Sequence, residues 1–346
     1  MERRIQMSGS LTDITGITVG HAQDLARRTG VSVIRFSKPA VASISVLGGA
    51  PAVRDTALLE PEMMVERIHA IVLSGGSVYG LDAASGVQTV LRKEFESLPS
   101  LDSKIRVPIV VQASLFDLAN GGDKTWQTSP YAQLGEEAAY AASGQAVPQG
   151  TIGVGTGATT STLRGGAGST SMVTSHGYTV SAFIAVNAIG SATVGKGPYF
   201  WSAPFEQARE FGGLGAAPTS AEDALRLSIK PDYVAGTTIG VVATNATLTP
   251  IQAKRLAILG QDGVARGVFP AHLPQDGDTI FGVSTEEKPA PELNAFCEIL
   301  QAATIVTARA IALGVYHAAA LGWDRCVPSW QEQFAGEYQA NAKERA

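Results

Sequence analysis

The chain has 346 residues, 45% apolar and 16% charged, with 38 glycines, a net charge of −5 and a mean hydropathy of +0.11. That length suits one large domain or two ordinary ones, and the low charged fraction implies extensive burial or packing between subunits. The charge balance offers no basic surface for nucleic acid, and Cys297 and Cys326, outside any CxxC, are too few for a disulfide framework and point to a reducing, cytoplasmic setting.

Arg3 and Arg4 have no apolar stretch behind them, so the N-terminus does not read as a secretory signal, and residues 1–12 are expected to form a flexible tail. No uninterrupted run of about 18 apolar residues occurs, so no membrane span is expected. Strands are predicted at 29–36, 41–49 and 69–76, the last running through Gly75-Gly76 into a helix over 77–95. A strand at 107–114 and a glycine-ended helix at 131–144 follow. The tract 151–195 is rich in Gly, Thr, Ser and Val and includes strands at 178–190 and 191–194. Residues 203–230 read as a long mobile connection with a helical end, and connections of that length are usually functional. A strand then opens at Gly236-Thr237-Thr238, and a helix over 247–268 has Thr249 as N-cap and Pro250 in its first position. A strand at 278–285 and an alanine-rich helix over 292–322 complete the series. Strands and helices mix without a fixed repeat, which favours an α/β sandwich of layered sheets over regular βαβ alternation.

Three motifs invite a chemical reading and are better explained otherwise. GVGTGA (153–158) has the dinucleotide spacing, but poor helix-forming residues follow, so it reads as a glycine-lined turn or pocket wall. SGGSVYG (74–80) approaches a nucleophile elbow but has Tyr79 where the second glycine belongs, so Ser77 reads as a helix cap. A Ser-His-Asp arrangement using His69, His176 or His317 remains the alternative there. HLPQDGDT (272–279) is read first as an Asp-Gly turn and second as a carboxylate pair, Asp276 and Asp278, on one side of an extended segment. It lacks the ligand spacing of a metal site.

Gly236-Thr237 poses a different question. A threonine hydroxyl is a weak nucleophile unless a base adjoins it, and a threonine that begins a chain carries its own base in the α-amine. Making such a terminus requires the hydroxyl to attack the preceding carbonyl. A glycine there tolerates strained angles and does not crowd the attack. The bland alternative is a β-branched strand leaving a glycine turn.

The segments at 65–87, 153–159 (GVGTGAT), 185–190 (AVNAIG), 237–257 and 276–285 (DGDTIFGVST) occur in the order of one family. Over residues 13–325 the chain resembles the DmpA-type N-terminal-nucleophile hydrolases: L-aminopeptidase/D-esterase, β-peptidyl aminopeptidases and nylon-oligomer endohydrolases. The resemblance implies a four-layer αββα sandwich, of the type shared with ornithine acetyltransferase. It implies self-cleavage between Gly236 and Thr237 into a large chain (13–236) and a small chain (237–346) within one domain. Thr237 would be the nucleophile, as in the nylon-oligomer branch, Asn187 an oxyanion donor, and Asp276 and Asp278 the acidic pair beside the new amine. Substrates would be small peptides, β-peptides, amino-acid amides or ω-amino acid oligomers, cleaved by tetramers of processed heterodimers without cofactor or metal. The chain departs from the pattern at Thr162, where relatives often carry Lys, and at Phe116, where some carry Tyr. Arg164 is the nearest cation to the first gap, sharing a face with Thr162 if 159–164 is a strand, and Phe116 would leave an aromatic wall in the substrate site. An acyltransferase of the ornithine-acetyltransferase type and a silent, unprocessed binding protein are the competing expectations.

Overall fold

Successive side chains along a strand point to opposite faces, and in this chain both faces are apolar. The computed structural model describes residues 9–94, 106–218, 227–230, 235–319, 321–324 and 326–336. Among these, the strands are β1 (Ile17–Asp24), β2 (Thr29–Val46), β3 (Ala52–Arg54), β4 (Arg67–Ser74), β5 (Val110–Ser114), β6 (Gly166–Val173), β7 (Thr179–Asn187), β8 (Thr237–Ala246) and β9 (Thr279–Lys288). The helices are α1 (Ser77–Gly80), α2 (Ala83–Leu91), α3 (Tyr131–Tyr140), α4 (Pro250–Gly267) and α5 (Leu293–Tyr316).

Hydrogen bonding connects the strands in the order β3-β5-β4-β2-β9-β8-β7-β6, with β1 also on β2. The 18-residue β2 is the hinge of the arrangement: Val31–Arg35 pair with β4, and Val41–Val46 pair with β9. The sheet therefore folds over β2 into two facing layers. Between them lies one core, in which Ile34, Ile44, Ile71 and Val111 meet Phe183, Ile239, Val241 and Phe281. The alternate residues Ala182, Ile184, Val186 and Val242 face outward into a second core with Leu256, Val264, Val306 and Ile311 of α4 and α5. On the far side, Val31, Val33, Val72 and Val110 pack against α2 and α3. Three cores separate four layers, and the fold is the expected αββα sandwich.

Local signals explain several boundaries. Thr249 caps α4 reciprocally: its side chain accepts the Gln252 N–H (3.3 Å) while the Gln252 side chain accepts the Thr249 N–H (2.9 Å). Gly168 lets α5 approach β6, since a Cβ there would lie 1.9 Å from the Ala310 carbonyl oxygen.

The structure corrects parts of the sequence reading. The strands expected at 29–36 and 41–49 are one, because exposed Ser37, Lys38 and Pro39 lie within β2 where it crosses between layers. Residues 191–194 form isolated bridges to Phe269 and Phe200, not a strand. The helix expected over 77–95 is interrupted between α1 and α2, and its last residue lies outside the described residues. Ser10 and Leu11 are buried and the Leu11 N–H donates to Ser169 Oγ (2.8 Å), so packing begins before the expected boundary after residue 12; residues 1–8 lie outside the described residues. The stretch expected to be mobile is packed where it is described: Phe211 is in the outer core and Glu210 pairs with buried Arg309. The helical end expected before residue 230 falls largely outside the described residues. Finally, α5 is long and apolar enough to cross a membrane, with a mean hydropathy of 1.5, but 72% of its apolar window is buried in the fold. Counting only uninterrupted apolar runs missed it, because Thr304, Thr307 and Arg309 break the run.

Candidate active site

The sandwich brings three chain segments together where β8 begins. Thr237, 3% exposed, stands opposite Asn187, the last residue of β7, in the antiparallel register, while Gly236 bridges Asp276 on the other side. The Gly236 carbonyl oxygen accepts the Gly277 N–H (3.0 Å) and also the Thr237 hydroxyl. Glycine at 236 is a matter of room. A Cβ would lie 2.3 Å from the Ile189 nitrogen and 2.7 Å from Asp276 Oδ1, whereas Gly236 is not among the residues with positive φ.

The two aspartates, each 1% exposed, hold different partners. Asp276 accepts N–H groups from Ile189 and Leu273, both at 3.1 Å. Burial and then the charge of Asp278 push its carboxyl up to about 6, against those hydrogen bonds and the charge of Lys230. Asp278 accepts the Thr238 N–H at 2.6 Å on one oxygen and, on the other, the His272 N–H (3.0 Å) and the ring at Nδ1 (2.8 Å). Burial opposes charge on the His272 ring, but the hydrogen bond and charge of Asp278 outweigh it and raise its pKa. The Asp-Gly turn and the carboxylate pair are thus one feature, with both side chains bordering the start of β8.

Asn187 is fully buried, and its partners define its amide orientation. Oδ1 accepts the Thr159 N–H (3.0 Å), Lys230 Nζ (3.1 Å) and Asn120 Nδ2 (3.4 Å), and Nδ2 donates to the Phe116 carbonyl (2.8 Å). The second amide hydrogen has no partner among the described residues. Phe116 therefore meets the site through its backbone. Its loop is anchored by Asp117, which accepts Thr29 Oγ1 (2.6 Å) and the Gly76 N–H (2.8 Å). This is the use of the SGGS turn. Ser77 has φ 53°, begins α1 behind Gly76 as N-cap, and makes no side-chain cap, contrary to the sequence reading. The GVGTGA tract is a short 3-10 turn at Gly153–Gly155, followed by the Thr159 N–H that reaches Asn187.

Thr162 and Arg164 lie elsewhere. Thr159 and Arg164 bridge each other, closing a tight loop, so 162 and 164 do not share a strand face. Thr162 Oγ1 is 3.2 Å from Ser191 Oγ. Arg164, 2% exposed, stacks on Trp323 (4.3 Å) and donates to the Thr156 carbonyl (3.3 Å). The cation beside Asn187 is Lys230, which the sequence reading missed: a single lysine between Ile229 and Pro231 carries no local signal of burial. It is 7% exposed, and burial brings its pKa down to about 7, against the charges of Asp276 and Asp117. Among the described residues no cluster of three or more His, Cys, Asp or Glu is placed to hold a metal ion.

The chain is similar to known proteins in sequence and in fold. Residues 9–324 match the model of peptidase family S58. An uncharacterized aminopeptidase of Mycobacterium tuberculosis is 36% identical, the match covering 95% of this chain and 99% of that protein. The 6-aminohexanoate-oligomer endohydrolase of Paenarthrobacter ureafaciens is 25% identical over 81% of this chain and 76% of its own. In structure, the L-aminopeptidase D-Ala-esterase/amidase of Ochrobactrum anthropi, described as a variant of the Ntn hydrolase fold, superposes with a TM-score of 0.70 at 18% identity, covering 96% of this chain and 94% of that one. The β-aminopeptidase of a Burkholderia species gives 0.68 at 20% identity, covering 97% and 94%. The chain belongs to peptidase family S58, the DmpA-type hydrolases with the Ntn-hydrolase fold.

Proposed function

We propose that the chain cleaves itself between Gly236 and Thr237 and that Thr237, freed as an N-terminal residue, is the nucleophile of an amide hydrolase. The observation that carries this reading is the setting of one carbonyl: the Gly236 oxygen is held by the Gly277 N–H with the Thr237 hydroxyl upon it. In self-cleavage, Thr237 Oγ adds to the Gly236 carbonyl carbon, and the Gly277 N–H steadies the oxygen as it gains charge. The C–N bond then breaks and the hydroxyl proton passes to the leaving nitrogen. Water hydrolyses the resulting ester, giving a Gly236 carboxylate and a free Thr237 amine.

In turnover the α-amine, with an ordinary pKa of about 8, takes the Oγ proton as Oγ attacks the substrate carbonyl, then delivers it to the departing amine. Water releases the acyl group by the same route. The amine forms next to Asp276, and Asp278 fixes the strand through the Thr238 N–H. The Asn187 amide hydrogen left free by Phe116 is the side-chain oxyanion donor. The proposed substrates are small peptides with a free N-terminus, β-peptides, amino-acid amides or esters, and ω-amino acid oligomers. The names of the aminopeptidase and 6-aminohexanoate-oligomer relatives support this range. A cytoplasmic homotetramer of processed heterodimers belongs to the same proposal.

Denaturing mass spectrometry of the purified protein tests it. The expected result is two chains meeting at 236/237, against one intact, inactive chain for Thr237→Ala. Activity is read on aminoacyl p-nitroanilides, β-peptides and 6-aminohexanoate oligomers. A wild-type chain that stays whole while turning over any of these would overturn the reading.

A further inference from the structure

We infer that Lys230 is a positioning residue for the self-cleavage: from the segment upstream of the cut, it clamps Asn187, at the end of β7, and Ile189 just beyond it so that the Gly236 carbonyl is presented to Thr237. The inference rests on the self-cleavage proposed above and adds to it a residue outside the set Thr237, Asn187, Asp276 and Asp278.

Lys230 is held at both ends, to Asn187 at the end of β7 and to Ile189 just beyond it. Its backbone N–H donates to the Ile189 carbonyl (3.0 Å), and its Nζ donates to both oxygens of Asn187, the backbone carbonyl at 3.0 Å and Oδ1 at 3.1 Å. Asn187 and Ile189 are the residues that set the cleavage geometry. Asn187 is the register partner of Thr237, and the Ile189 N–H holds Asp276, whose backbone bridges Gly236. Lys230 thus ties the segment just upstream of the cut to the end of β7, the strand that pairs with Thr237. Its ammonium also fixes the Asn187 amide by occupying Oδ1, which directs Nδ2 toward Phe116.

A buried lysine is costly unless its charge is used. The charged groups facing this one are Asp276, in the turn before β9, and Asp117, after β5; His272 is engaged by Asp278 instead. Nothing in the cores requires an amine here, and a methionine would fill similar volume without the desolvation cost. The clamp works best as a cation, because charge-assisted hydrogen bonds to two acceptor oxygens are roughly twice as strong as neutral ones. Its pKa lies near 7, so it weakens as pH rises through that value.

The test follows cleavage of freshly synthesised full-length protein, made in a cell-free system, by denaturing mass spectrometry from pH 5.5 to 9. Wild type, Lys230→Met, Lys230→Gln and Thr237→Ala are compared. Lys230→Met is expected to cleave at least tenfold more slowly than wild type below pH 7, and the ratio of the two rates should shrink as pH rises above it. Taking the ratio removes the pH dependence of the shared groups that Lys230 does not touch; Asp276 is the exception, since without the lowering charge of Lys230 it titrates higher in the variant. Lys230→Gln keeps a donor but no charge and should lack the same pH-dependent component. If Lys230→Met fails to fold, judged by thermal unfolding in the Thr237→Ala background, the glutamine variant decides. Equal rates, or a ratio that does not change with pH, would overturn the clamp while leaving self-cleavage standing. A wild-type chain that never cleaves would remove both.

Discussion

At position 236 a single methyl group is the difference between a carbonyl that fits and one that does not. A Cβ would collide with the Ile189 nitrogen and with Asp276 Oδ1, neither of which can retreat without breaking their mutual 3.1 Å hydrogen bond. Gly236→Ala is therefore expected to slow cleavage at 236/237 by tenfold or more, read as intact chain by mass spectrometry. The aspartates lead to a pH prediction. Burial and Asp278 raise Asp276 to about 6, so its negative charge is lost as pH falls through that value, and with it the proposed partner of the Thr237 amine. Hydrolysis should decline on that acidic limb. Asp278→Asn removes the neighbouring charge, lowers the Asp276 pKa and should move the limb to more acidic pH, measured as kcat against pH. An unmoved limb would mean that another group controls it. Thr237 stood out in the sequence as a threonine behind a glycine, while Asn187 and the roles of Asp276 and Asp278 came only through the resemblance; the fold gathers all four at the start of β8. Lys230 and the His272–Asp278 pair were not legible, since the fold alone gives them partners: Asn187 for the lysine, and for His272 a positive-φ turn that aims its ring at Asp278.

The next scale is the register that aligns these side chains. Residues Val180–Asn187 of β7 pair one by one with Thr244–Thr237 of β8. A slip of one residue would exchange the inner and outer cores and turn Thr237 away from its partners. The helices hold that register through close contacts such as α5 on β6. Gly168→Ala would place a methyl group 1.9 Å from the Ala310 oxygen, forcing the helix outward at a cost of about 1–3 kcal/mol. A fall of several degrees in the thermal unfolding midpoint is expected; an unchanged midpoint would show that α5 yields freely. The same feature hid β6 from the sequence. GAGSTSMV has mostly small and polar residues on both faces because α5 crowds one and the turns at Leu11–Asp13 and Gly153–Gly155 the other, so neither alternation nor a β-branched run marks it. By contrast, α4 announced its start through Thr249-Pro250, a local signal that needs no tertiary context. Ser37-Lys38-Pro39 misled for the opposite reason: a turn-like tripeptide sits where one long strand passes from one layer to the other.

For the molecule as a whole, the proposed cut falls in an unusual place. It would assign β8, β9, α4 and α5 to the small chain, yet β8 and β9 lie inside the sheet and α4 and α5 form the helical layer that covers it. In the sheet, β8 is bonded to β7 and β9 to β2, so both outer ladders of the small chain join it to the large one. Ile239, Val241 and Phe281 share the inner core with Ile44, Ile71 and Phe183, and α4 and α5 share the outer core with Val180, Ile184 and Val186. Across the same boundary, Arg309, with no exposed side-chain area, is paired with Glu210 at 2.7 Å. Breaking one covalent bond leaves all of this apolar area buried, and separating the chains would expose it at about 25 cal/mol for each Å². The two chains should therefore co-elute on a native sizing column and part only in denaturant, and the small chain alone should not refold. Glu210→Ala leaves the Arg309 charge buried and unpaired, a loss on the order of 3–5 kcal/mol. That variant should release the small chain at a markedly lower denaturant midpoint than wild type. Chains that elute separately without denaturant would mean that the β7–β8 and β2–β9 ladders do not hold the processed protein together.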